Sequence, residues 1–144
     1  MLQSKPMGLA LMVMFPSMVL WIVMMSIVGM MDAESTSEKV KALAEHGVGG
    51  GIPLLLLFSS LGWVVASTGL VAWGRSLSDG DKWGLATFGS IFVLTGVIAG
   101  ITANGMFYAA AEAAGDGQTA FAGTAVTLFE AVDWWGSITW MLGI

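Results

Sequence analysis

Glu130 and Asp133 are the residues of this chain whose types and spacing best suit chemistry. They sit in TLFEAVDWWGSITW, near the middle of an apolar stretch, and a spacing of three puts both carboxylates on one helical face. Thr127 and Ser137 extend the same polar stripe. A charged side chain at the centre of a bilayer costs from about 2.5 kcal/mol upward, and it persists there only if protonated, paired or open to water. Lipid surroundings and mutual repulsion disfavour the doubly ionised pair. Relaying a proton or holding a cation is therefore the chemistry it suits. No Lys or Arg lies inside the other apolar stretches. The partners expected are a proton, nearby Ser, Thr or Asn groups, a cation, or another subunit. Two structural readings stand beside this one. The pair bonds to neighbouring subunits, or the helix begins near Gln118 and carries residues 130–137 to a water-facing end.

Other chemistry finds little support. The first apolar stretch holds Met7, Met12, Met14, Met18, Met24, Met25, Met30 and Met31. Thioethers bind Cu(I), but Met12 and Met14, two apart on a helix, point in nearly opposite directions. Methionine also fills helix interfaces adaptably, and packing is the reading preferred. His46 is the only histidine and has no cysteine or carboxylate cluster beside it, so neither a metal site nor haem ligation is expected. The glycine-rich run at 47–51 lacks the Lys-Ser/Thr of a phosphate loop and no strand precedes it. It reads as a hinge. No serine sits in a G-x-S-x-G elbow. The absence of cysteine excludes disulfides, thiolate metal sites and cysteine nucleophiles. No catalytic residue, cofactor or metal is expected, and the chain reads as a non-enzyme.

The elements that carry these residues follow from composition. Of 144 residues, 56% are hydrophobic and only 10% charged, and the mean hydropathy is +0.83. An ordinary soluble domain carries about 25% charged residues. So much apolar surface must face lipid or other apolar chains. The expected fold is all-α, an integral membrane four-helix transmembrane bundle in a single domain. Its spans fall at about 7–31, 52–73, 84–108 and 120–144, each long enough for a core of about 30 Å. The first run exceeds the roughly 7–15 apolar residues of a cleavable signal and reads as a retained helix. Pro16 should kink it, whereas Pro53 suits a first turn.

A short amphipathic helix is expected at 36–46, between the first two spans. Ser35 and Glu38 make a capping box, Val40, Leu43 and Ala44 an apolar stripe, and Gly47 a C-cap. Lys41 and Glu45 stand on its opposite face. This helix should lie at the membrane surface or on a partner. The linker at 74–82 reads as a solvated turn, and that at 111–118 carries acids but no base. Trp73, Trp83 and Tyr108, with the cluster Trp134, Trp135 and Trp140, mark headgroup-level anchors.

Small residues should form the helix seams, since lipid tails give apolar side chains no drive to associate. Gly62, Ala66 and Gly69 in the second span face Gly89, Gly96, Gly100 and Asn104 in the third, Gly96 and Gly100 being a GxxxG. Lys5, Arg75 and Lys82 fall on one side, and Lys39 and Lys41 on the other. This bias of one charge puts both termini in the cytoplasm and suggests the plasma membrane. Net charge is −5 with no basic cluster, so no nucleic-acid partner is expected. The expected function is a non-catalytic multi-pass subunit that packs against and stabilises a larger membrane complex. Its partners would be the lipid bilayer and other transmembrane subunits, in a hetero-complex rather than a homo-oligomer. The alternatives are a small oligomeric transporter or proton- or cation-coupled module using Glu130 and Asp133, and a structural protein of an envelope or particle.

Overall fold

The computed structural model describes residues 4–46, 49, 51–76 and 83–144. The chain is all-helical: five helices and, among the described residues, no strand. They are α1 (Ser4–Ile27), α2 (Thr36–His46), α3 (Ile52–Ser76), α4 (Trp83–Gly115) and α5 (Thr119–Leu142). The expected cap at Gly47, most of the run at 47–50, the turn at 77–82 and the side chains of Met7 and Trp83 lie outside the described residues.

Local sequence sets where the helices stop. α1 runs through Pro16 but ends at Ile27, four residues short of the expected boundary. Gly29, at φ 74°, closes it in a Schellman motif: its N–H donates to the Ser26 carbonyl, and Met30 N–H to that of Met25. Met25 and Met30, the positions that motif brings together, are both buried. α4 ends the same way. Gly117, at φ 76°, donates to Ala114, and Gln118 to Ala113. The segment at 111–118, expected as a linker, is therefore helical as far as Gly115. Its alanines are the strongest helix formers, and their propensity outweighs the polarity of Glu112.

α2 is fixed at its start by the reciprocal bonds of its capping box. Glu38 N–H donates to Ser35 Oγ at 3.3 Å, and the Glu38 carboxylate accepts from the backbone N–H of Ser35 at 3.1 Å and of Glu34 at 2.8 Å. Val40 and Leu43 are buried but Ala44 is exposed, so the apolar stripe is narrower than its sequence suggested. Lys41 and Glu45 pair at 3.8 Å in solvent. The covered face of α2 rests on α4 and α5 of its own chain. Neither lipid nor a partner is needed to shield it.

Close packing joins α1 to α3, α3 to α4, and α4 to α5. The four long helices thus form an open arc with α1 and α5 at its two ends. The main core lies at the end of the arc that α2 covers. There Met24, Val28, Leu43, Phe107, Val126 and Phe129 are almost wholly buried, and the rings of Phe107 and Phe129 meet edge-on at 5.5 Å. Such an aromatic pair adds about 0.5–1.5 kcal/mol beyond its buried area.

The glycine seams differ from the expected ones. A Cβ on Gly62 would strike Ser17 of α1, and one on Gly96 would meet Trp140 and the Gly136 carbonyl of α5 at 2.6–2.8 Å. Gly89 similarly abuts the Gly143 carbonyl. The small residues of α3 and α4 do not face each other: α3 spends Gly62 on α1, and α4 spends Gly89 and Gly96 on α5. The turn of Asp116, Gly117 and Gln118 is the cause. It is so short that α4 and α5 must lie side by side. Ala66 is fully buried, whereas no atom lies within 4 Å of a Cβ built on Gly100.

Candidate functional site

Glu130 and Asp133 share a helical face, but the structure gives them different surroundings. Glu130, on α5 just below the buried core, forms an ion pair with Lys39 of α2. The Lys39 side chain is 19% exposed and that of Glu130 41%. α2 therefore supplies the base that pairs with Glu130. The expectation that only a proton, a neutral group, a cation or another subunit would match this carboxylate fails for Glu130. Its missing signal was positional. Lys39 precedes Val40 and stands one turn before Leu43, so it lies at the edge of the face that α2 buries.

Asp133, one turn further along α5, points into a cavity instead. The cavity has a volume of about 370 Å³ and is lined by all four long helices. α1 contributes Met14, Met18, Trp21 and Ile22, α3 Ser60 and Trp63, α4 Gly96, Val97, Gly100, Ile101 and Asn104, and α5 Asp133, Gly136, Ser137, Trp140 and Met141. It lies near mid-length of α1, α3 and α4. Gly100 leaves its wall hollow, since nothing fills the space a side chain would take there. The lining is mainly apolar, and among the described residues Asp133 is the only ionisable group in it. Asp133 has no hydrogen-bond or ion-pair partner among the described residues.

Fixed polar contacts shape the wall around it. Asn104 Nδ2 donates to Ser60 Oγ at 2.8 Å, and Ser60 Oγ donates to the Leu56 carbonyl at 2.8 Å. Trp140 Nε1 donates to Ser67 Oγ at 2.9 Å, and its ring meets that of Trp63 edge-on at 5.2 Å and 89°. Trp140 is thus a wall of the cavity, whereas Trp134 and Trp135 are each 66% exposed. Of the stripe expected around the carboxylates, Ser137 lines the cavity. Thr127 is not in the lining, and its hydroxyl donates to the Gly123 carbonyl of its own helix.

The remaining candidates stay apart. Met24, Met25 and Met30 belong to the buried core, whereas Met12 is 76% exposed. His46 Nδ1 lies 2.9 Å from the Ala42 carbonyl on the outer end of α2. Among the described residues no three His, Cys, Asp or Glu converge on a metal position. Comparison with protein-family models, with curated proteins and with solved structures finds no match.

Proposed function

We propose that this chain is a multi-pass integral membrane protein, with α1, α3, α4 and α5 crossing the bilayer, that serves as a non-catalytic subunit of a larger membrane complex. One observation carries the reading. α3 and the stretch Gly84–Gly115 of α4 are long and apolar enough to cross a membrane, yet only 22% and 17% of their most apolar windows are buried in the fold. A core helix of a water-soluble protein is apolar because its neighbours cover it. Here Leu57, Phe58 and Leu61 of α3, and Phe88, Ile91 and Ile98 of α4, face outward. Contiguous apolar surface on that scale belongs against lipid or other apolar chains. Arg75, Lys5 and Lys82 favour a cytoplasmic location for the end that carries both termini.

Two measurements test this reading. Alkaline carbonate extraction should leave the chain in the membrane pellet, and release into the supernatant would end the membrane assignment. Mild-detergent purification from native membranes should bring partner chains with it, and migration as a lone monomer would end the subunit assignment.

A specific observation favours a second reading, a small cation-coupled module. Among the described residues, the cavity sets a single carboxylate, Asp133, in a mainly apolar lining with no base in it. Retaining a group that costs several kcal/mol to bury implies use. Glu130, tied to Lys39, has no part in this version.

A further inference from the structure

We propose that the cavity enclosed by α1, α3, α4 and α5 binds a lipophilic organic monocation, an ammonium carrying aryl or alkyl groups. The inference rests on the second reading above, in which Asp133 is the working carboxylate, and it names the class of ligand.

Four features define that class. The first is charge: among the described residues Asp133 is the only ionisable group in the lining, and Ser60, Asn104 and Ser137 are neutral. A monocation would neutralise it, whereas an anion would be repelled. The second is the wall. Trp21, Trp63 and Trp140 all line the cavity, and indole faces attract cations within about 6 Å, most strongly where water is excluded. The N–H of Trp140 is already committed to Ser67, so that ring has only its apolar and π surfaces left to offer. The third is size. A volume of about 370 Å³ falls in the range of small-molecule sites, about 300–1,000 Å³. A proton relay needs neither that space nor an aromatic wall.

The fourth is ligand count. A hard metal cation takes about six to eight oxygen ligands, and one carboxylate, one amide and two hydroxyls fall short of this. Among the described residues no metal-binding cluster exists either. A neutral lipid tail would suit the apolar wall but gives no reason to keep a carboxylate in it. The route of entry agrees with an amphiphilic ligand. α1 and α5 stand at the two ends of the arc, and the cavity-lining residues Met18 and Ile22 of α1 and Met141 of α5 are exposed. In a bilayer those exposed side chains would lie against lipid.

Titration of the full chain in phosphatidylcholine nanodiscs tests the assignment, with phenyltrimethylammonium and its uncharged isostere tert-butylbenzene as probes. Calorimetry and tryptophan emission should both show saturable binding of the cation and at least tenfold weaker binding of the isostere. Asp133→Asn should weaken the cation by about tenfold or more, since it removes a charged partner worth about 1.5–3 kcal/mol, and leave the isostere unchanged. Trp63→Leu should weaken the cation several-fold. Equal affinity for the two probes would overturn the proposal and leave an apolar hole. So would an Asp133→Asn protein that is helical by circular dichroism and binds the cation undiminished, or a folded native chain that binds no cation. If Asp133→Asn does not fold, the two probes on the native chain and on Trp63→Leu decide the matter. Failure of the membrane reading is separately visible, because carbonate extraction does not depend on binding.

Discussion

The ammonium of Lys39 meets the carboxylate of Glu130 across 91 positions of sequence, joining a short connecting helix to the last long one. The pair is partly shielded. Removing one partner strands the other in a low-dielectric setting, whereas removing both leaves two neutral groups. Lys39→Met should therefore lower stability by about 1–2 kcal/mol, and adding Glu130→Gln should recover most of the loss. Thermal unfolding of the two single variants and the double variant in one detergent checks this. Strictly additive losses would show that the pair contributes nothing.

Gly96 and Gly100 share a motif but differ in surroundings, which gives a paired test. At Gly96 an added methyl meets the backbone of Trp140 and Gly136, atoms that yield only if α4 and α5 separate. Gly96→Ala should cost about 1–3 kcal/mol through overpacking. Gly100→Ala meets open space and should be neutral or stabilising, given alanine's higher helix propensity. Equal effects in chemical denaturation would remove the α4–α5 seam described above.

The α4–α5 turn offers a second contrast, between Gly115 and Gly117. Neither has an atom within 4 Å of a new Cβ, but only Gly117 has positive φ. Gly117→Ala should destabilise by about 1–2 kcal/mol from backbone strain alone, and Gly115→Ala should stabilise by roughly 0.5–1 kcal/mol. Reversed signs in matched melting curves would mean that α4 ends elsewhere.

Glu38 makes the start of α2 sensitive to acid. The backbone N–H groups of Ser35 and Glu34 hold its carboxyl below the ordinary 4.5. A depressed folded value means the contribution is in place above about pH 4.5 and fades as the pH falls through the lower folded value. Carboxyl NMR should find the Glu38 midpoint below that of Glu38 in a peptide of α2. Glu38→Gln should speed hydrogen exchange at the first amides of α2 near neutrality and remove its acid dependence. An unshifted midpoint would show that the box is open in solution.

What sequence revealed here was local code. The capping box of Ser35 and Glu38, the helix at 36–46 and the long apolar runs are each written in neighbouring residues. Segment ends were harder, because hydropathy marks polarity and not helix propensity; the alanines around Glu112 illustrate the gap. Partner choice was not legible. Gly62 and Gly96 mark points of close approach, but nothing in the spacing says that Ser17 and Gly136 are what approach. The acids at 130 and 133 look equivalent in sequence. They part company only because α2 folds back to reach one of them, which the edge position of Lys39 hinted at.

The arc consists of two pieces: α1 with α3, and the hairpin of α4 and α5 with α2 laid against it. Asn104 to Ser60 and Trp140 to Ser67 are polar side-chain ties between them. Both bring a residue of the cavity wall across the junction. Sliding one piece against the other by a single helical turn would break those two ties and reshape the chamber around Asp133, while the contacts within each piece stayed whole.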